Sequence, residues 1–191
     1  GGAFLILPLG TALTQGIVQQ KVGAGQTAGQ ALREAGRDRS FLLLTAGYFV
    51  CGFQVVFIGV HFPTYLIDKG MGGEIGVTAL ALIGLFNVFG SYGVGHLAGH
   101  FQKRYLLAAI YFSRSMVISL FLLVPLTPLS VFVFSAVIGV LWLSTVPPTN
   151  AIVAQIFGQR FFGMLSGVVF FSHQVGSFAG VWLGGRLFDS T

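Results

Sequence analysis

Arg114 is the residue of this sequence with the clearest capacity for chemistry. It lies ten residues after Arg104, roughly 15 Å along a helix, which places it near the middle of an apolar layer ~30 Å thick. A permanently charged guanidinium at that depth must face water or a partner. No acidic residue lies at a comparable depth in the sequence. An anionic substrate could supply the missing charge, because the guanidinium fork suits a carboxylate. A structural bond to an acid or carbonyl on a helix outside this sequence is the equal alternative.

Four further polar side chains lie near mid-depth in apolar runs and could contact a substrate. His173 and Gln174 are neighbours in the sequence SHQVGS. An imidazole can relay protons near physiological pH or donate to a substrate oxygen. Gln54 and Asn87 complete the set. For each of the four the alternative is a hydrogen bond between packed helices, which is a common use of polar residues in membrane bundles.

The sequence offers no constellation typical of an enzyme or a metal site. Ser113 and Ser115 flank Arg114 without an acid and a base in register. His96 and His100 are four residues apart, a spacing that can hold a metal, but no third ligand stands nearby. We therefore predict no catalytic residues, no metal and no cofactor.

The composition identifies the class of protein that must position these residues. Of the 191 residues, 54% are hydrophobic and only 8% are charged, with a mean hydropathy of +0.86. A soluble domain usually carries about 25% charged residues, so we expect an integral membrane protein. The net charge of +5 does not indicate nucleic acid, because the cations stand at the ends of apolar runs. The single cysteine, Cys51, excludes a disulfide framework and is most simply a small core residue.

The apolar runs predict an all-α protein with five complete transmembrane helices, at about 41–66, 75–97, 105–125, 129–154 and 162–188. In the fourth, Pro147 and Pro148 lack amide donors and should bend the helix. Residues 1–14 resemble the tail of a preceding span, so we expect a fragment of a longer protein. Residues 15–40 read as a linker. Within it Thr27 could cap a short interfacial helix to Ala35, although a solvated linker is the interpretation we favour.

Cation placement predicts the orientation of the helices. Lys103 and Arg104 lie in a short turn between the second and third spans, and such cations collect on the cytoplasmic face. The linker is basic as well, so the same scheme places it in the cytoplasm. Glycines at four-residue spacing, Gly176, Gly180 and Gly184 above all, predict close helix packing in the fifth span.

The turn GHLAGHFQKRY, residues 95–105, resembles the signature turn of the major facilitator superfamily, which reads approximately Gly-x-Leu-Ala-Asp-Arg-x-Gly-Arg-Arg. The matching positions are Gly95, Leu97, Ala98, Lys103 and Arg104. Gly99 stands in place of the motif's acid, which puts that acid's gating role in doubt for this half. The resemblance implies the C-terminal six-helix half of such a transporter. Residues 41–191 would then correspond to helices seven to eleven, with a cytoplasmic central linker before them.

A finer resemblance, in residues 41–70 and in the stretch TVPPTN, is to bacterial relatives of monocarboxylate transporters and oxalate/formate exchangers. It implies a multi-pass plasma-membrane protein that transports a small organic anion by alternating access. A coupling proton or a counter-substrate would accompany the anion. The N-terminal half of the same chain, which lies outside this sequence, would be the other half of the transporter. Membrane lipid and a small-molecule substrate are the expected partners, and nucleic acid is not. The alternatives are a transporter of neutral or cationic solutes with Arg114 structural, and a receptor or scaffold that transports nothing.

Overall fold

The computed structural model describes residues 26–189 and is helical, with no strand in that range. The expected tail of a preceding helix (1–14) and the first part of the linker (15–25) lie outside these residues. The helices are α1 Ala28–Ala35, α2 Arg39–Asp68, α3 Gly73–His100, α4 Lys103–Leu123, α5 Pro128–Leu141, α6 Val146–Phe157 and α7 Phe162–Asp189.

Five segments are long and apolar enough to cross a membrane, which confirms the predicted number of spans within the described part of the chain. Four of them are the single helices α2, α3, α4 and α7. The fourth span in chain order combines α5 and α6, from Pro128 to Phe157. Most helices extend a few residues past the predicted ends, because a helix continues beyond the apolar layer where its polar ends meet water.

The linker is not wholly a solvated coil, contrary to the interpretation that the sequence favoured. Residues 28–35 form α1, and the Thr27 hydroxyl accepts from the amide of Gln30 while the Gln30 side chain accepts from the amide of Thr27. This reciprocal capping box satisfies two amides at the helix start. Ala31 and Ala35 are buried, and Ala35 joins a core cluster with Phe41. Packing against the bundle therefore holds a helix that would be too short to persist alone.

The interruption of the fourth span lies at residues 142–145, just before the proline pair. Pro147 and Pro148 fall in the first turn of α6. Amides at the start of a helix have no carbonyl partner within it, so prolines cost little there. The prolines thus begin a new helix, and the break itself precedes them.

Two pairs of helices approach closely through glycine. On α7, a Cβ at Gly176 would collide with the carbonyl oxygen of Phe49, and one at Gly180 would lie 2.6 Å from that of Phe53. This confirms close packing of the predicted glycine ridge, here against α2. Gly163 and Gly167, which share the spacing, have no such neighbour within 4 Å. Spacing alone therefore does not identify the packed face.

The second close pair is α3 with α5. A Cβ at Gly90 would collide with the carbonyl group of Val140, and a Cβ at Gly139 would lie 2.8 Å from the Ile83 carbonyl oxygen. Backbones this close leave no room for side chains between the helices. The pair α3–α5 and the pair α2–α7 therefore form two tightly packed units of the half-bundle.

Apolar side chains fill the two ends of the bundle separately. One cluster joins the first half of α2 to α6 and α7, with Phe41 edge-on to Phe157 at 5.4 Å between ring centroids. The other joins the end of α2 to the first half of α3 and to α5, and Phe121 of α4 stacks on Phe134 of α5 at 4.2 Å between ring centroids. Along the fourth span, α5 belongs to the second cluster and α6 to the first, and the break at residues 142–145 lies between them. The polar groups of the interior therefore lie between the two apolar clusters.

Candidate functional site

Arg114 projects from the middle of α4 into the interior and is only 1% exposed. Its Nη2 donates to the carbonyl oxygen of Trp142 at 2.7 Å and also to that of Leu141. Its Nη1 donates to the Cys51 sulfur at 3.2 Å. The guanidinium carbon lies 5.9 Å from the centre of the Tyr111 ring. One side chain on α4 thus reaches both α2 and the break in the fourth span.

The carbonyls that Arg114 binds are free because the helix stops. The last carbonyls of α5 have no amide one turn ahead to bond, since α5 ends at Leu141. They also carry the negative end of the helix dipole, which favours a nearby cation. The sequence placed the structural alternative for Arg114 on a helix outside this chain. The carbonyl partners instead lie within it.

Asn87, on α3, contacts the same break from the other side. Its Oδ1 accepts from the amide of Leu143 at 3.0 Å and from the Ser91 hydroxyl at 3.3 Å. The Ser144 hydroxyl turns back to the carbonyl of Val140. Both of these groups bond backbone that the interruption leaves without a helical partner. Asn87 was predicted as a substrate contact, and the structure gives its oxygen a backbone partner.

His173 packs against Gly52, the residue next to Cys51. A Cβ placed on Gly52 would collide with the carbonyl oxygen of His173 and would lie 3.0 Å from its ring. The Cys51 sulfur, which accepts from Arg114, is fully buried and lies 3.4 Å from the Thr145 hydroxyl. The His173 ring lies 5.0 Å from the Tyr48 ring. We call Cys51, Arg114, Thr145 and His173, which come from three helices and the break, the central polar cluster.

Gln174 and Gln54 do not join the central polar cluster. Gln174 is exposed on α7, on a surface it shares with the exposed rings of Phe171 and Phe178. Gln54 is half-buried on α2. The five predicted contact residues thus divide into buried Arg114 and His173, half-buried Asn87 and Gln54, and exposed Gln174.

Most of the signature turn, residues 95–105, is helical, and only Phe101 and Gln102 lie between α3 and α4. Ala98 is buried, whereas Gly95 has no atom within 4 Å of a Cβ placed on it. The guanidinium of Arg104 lies 4.7 Å from the centre of the Tyr105 ring. Lys103 and Arg104 are half-buried at the start of α4, at one end of the bundle, and the gating role of this turn stays a prediction.

Sequence reasoning missed Cys51 and Thr145 as members of the cluster. A signal for Cys51 was present: it lies twelve residues after the start of α2 and Arg114 lies eleven after the start of α4. Two helices that run in the same direction place such residues at similar depth. Thr145 carried no comparable signal, because its position depends on where the fourth span breaks.

Comparison with known proteins agrees with this architecture. A family model described as the Major Facilitator Superfamily matches residues 3–181. Among curated proteins, the chain is 28% identical over 160 residues to YcxA, an uncharacterized MFS-type transporter of Bacillus subtilis. That match covers 81% of this chain and 39% of the relative, so the chain spans well under half of the relative's length. No solved structure matches the chain significantly. With the family model covering most of its length, this multi-pass membrane chain belongs to the major facilitator superfamily.

Proposed function

We propose that the intact protein is a secondary active transporter that carries a small organic anion, such as a monocarboxylate, by alternating access. Membership of the superfamily supports transport. The observation that carries the anion is the charge of Arg114. Among residues 26–189, every acidic residue belongs to α1, to a helix end or to a loop: Glu34, Asp38, Asp68, Glu74 and Asp189.

Among the described residues, the charge of Arg114 is therefore balanced by dipoles and not by a carboxylate. Its partners, two carbonyl oxygens and a sulfur, accept hydrogen bonds. A positive charge in a low-dielectric interior acts over several ångströms, so it favours an anion in a neighbouring cavity even without contact. His173, in the same cluster, could carry a coupling proton.

The exposure of Gln174 is an argument for a solute-binding surface on the exposed face of α7. Within a membrane an amide needs a hydrogen-bonding partner or water, and lipid offers neither. Phe171 and Phe178 flank Gln174 and are exposed with it. This face is therefore suited to line the cavity between the two halves of the intact protein, with Gln174 as a neutral contact for the solute.

The orientation in a bacterial plasma membrane is part of the proposal. Lys103 and Arg104 would place the signature turn in the cytoplasm, together with α1 and the rest of the linker. Lys69, at the opposite end of α2 from Arg39, would then face outward.

A transporter of neutral or cationic solutes is the second candidate, and one observation favours it. Arg114 Nη2 already donates to two backbone carbonyl oxygens, those of Leu141 and Trp142, and the side chain is 1% exposed. On this alternative the guanidinium holds the fold and touches no substrate.

Uptake by the full-length protein in proteoliposomes tests the proposal. Labelled monocarboxylates and dicarboxylates are compared with neutral and cationic solutes, using wild type, Arg114→Gln and Arg114→Lys. Arg186→Gln, at the end of α7, is the matched control. Anion uptake that Arg114→Lys retains and Arg114→Gln loses supports the anion. Uptake of neutral or cationic solutes alone supports the second candidate. Uptake of no solute supports a receptor or scaffold that does not transport.

A further inference from the structure

We propose that Asn87 and Arg114 are positioning residues that hold α5 and α6 in one fixed arrangement across the break in the fourth span. Two side chains from different helices bond three backbone groups where α5 ends and the break begins, those of Leu141, Trp142 and Leu143. The inference concerns the conformation of the chain and does not depend on which solute is carried.

The first step is the number of backbone groups that the break exposes. A four-residue interruption inside a span leaves amides and carbonyls without helical partners, and the apolar layer offers no water to replace them. Arg114 bonds the carbonyls of Leu141 and Trp142, and Asn87 bonds the amide of Leu143. These are three consecutive residues, bonded from α4 and α3.

The second step is that the two sides of the break are packed into different units. α5 is held against α3 by the backbone contacts at Gly90 and Gly139. α6 contributes Ile152, Val153, Ile156 and Phe157 to the core cluster that also contains residues of α2 and α7. A shift of one unit relative to the other would therefore be absorbed at residues 142–145.

The third step is that Arg114 contacts both units. Nη2 binds the end of α5, in the α3–α5 unit, and Nη1 binds Cys51 of α2, in the α2–α7 unit. Thr145, at the far edge of the break, lies 3.4 Å from the same Cys51 sulfur. A charged hydrogen-bond donor joined to both units resists their relative displacement, and Asn87 fixes the backbone between them.

Amide hydrogen exchange on the full-length protein tests the local effect. Asn87→Leu keeps similar size and removes the acceptor for the Leu143 amide. Gln54→Leu is the matched amide-to-leucine control, at a side chain that bonds none of residues 142–145 in the described part of the chain. We expect exchange in peptides covering residues 142–146 to rise roughly fivefold in Asn87→Leu, as loss of one hydrogen bond implies. Peptides from the first half of α2 should not change.

Asn87→Gln keeps a neutral amide whose oxygen can accept from the Leu143 amide, and it should retain most of the wild-type protection. This variant separates the hydrogen bond from general damage to the fold. Equal protection of the break in wild type and Asn87→Leu would overturn the proposal. So would a rise that is uniform over all peptides and is the same in Asn87→Gln.

Spin-label distances distinguish positioning from simple stabilisation. Labels at Val137 on α5 and Val175 on α7, both exposed, report the two units, and buried Cys51 should stay unlabelled. We expect a broadened or shifted distance distribution in Asn87→Leu and Arg114→Lys, and an unchanged one in Gln54→Leu. Lower thermal stability with an unchanged distribution would mean that the residues only cap the broken helix. Neither readout requires transport, so failure here is separable from failure of the proposed function.

Discussion

Arg114 Nη2 lies 2.7 Å from the carbonyl oxygen of Trp142, and this bond joins the centre of α4 to the break in the fourth span. The guanidinium satisfies backbone that would otherwise be buried without a partner. Its positive charge also lies against the negative end of the α5 dipole. The most conspicuous charge in the apolar sequence is thus tied to the most irregular stretch of its backbone.

Arg114→Gln should lower stability as well as transport. Charge-assisted hydrogen bonds contribute about 1.5–3 kcal/mol each, and two carbonyls would lose theirs. We expect a free energy of unfolding lower by roughly 3 kcal/mol, measured by thermal or denaturant unfolding in detergent. Arg186→Gln, near the exposed end of α7, should change stability little. Unfolding of Arg114→Gln at the wild-type midpoint would contradict the bonds described here.

Gly176→Ala should disrupt the α2–α7 contact. A Cβ there collides with the carbonyl oxygen of Phe49, which is backbone and cannot move aside cheaply. We expect destabilisation of about 1–3 kcal/mol, as overpacking usually costs. Gly167→Ala, with no atom within 4 Å of its Cβ, is the control and should be neutral or slightly stabilising. Comparable thermal midpoints for the two variants would argue against the close approach.

Thr27→Ala should loosen α1. The change removes the hydroxyl that accepts from the Gln30 amide, and loss of such a cap costs about 1 kcal/mol. Amide exchange in residues 28–35 should then increase roughly fivefold without affecting α2. Gly29→Ala, at an open position of the same helix, should have the opposite effect through its higher helix propensity.

Gln174→Leu should weaken solute binding while leaving the fold intact. The side chain is exposed in this half-bundle, so its loss breaks no buried contact here. A hydrogen bond to a solute contributes about 1 kcal/mol, so we expect roughly fivefold weaker apparent affinity in uptake assays. The apparent affinity of Gln54→Leu, the same substitution at a half-buried amide of α2, is measured for comparison. A stability loss with unchanged affinity would assign Gln174 to contacts with the rest of the protein.

Membrane-impermeant thiol reagents test the proposed orientation. Cysteines introduced at His100 and at Lys69 lie at opposite ends of the bundle on exposed residues, and buried Cys51 should not react. In intact cells only the Lys69→Cys variant should be labelled from outside. Labelling of His100→Cys instead would invert the topology that the cations predict.

Local patterns were sufficient for the spans and for several helix ends. The number of membrane-crossing segments follows from apolar length, because the free energy of transfer into lipid sums along consecutive residues. The possible cap at Thr27 was visible for a similar reason, since its partner is three residues away. The sequence could not show that α1 packs on the bundle, and for that reason a solvated linker was the favoured prediction for these residues.

The sequence by itself determined that a charge, an imidazole and several amides lie at mid-depth in a five-span helical bundle. Only the tertiary structure decided their partners. Arg114 meets Cys51, which is 63 residues away, and carbonyls freed by a break whose position depends on how α5 packs against α3. Depth follows from the rise along one helix. Contact depends on the rotation and approach of several helices at once, and these are set by packing between segments distant in the chain.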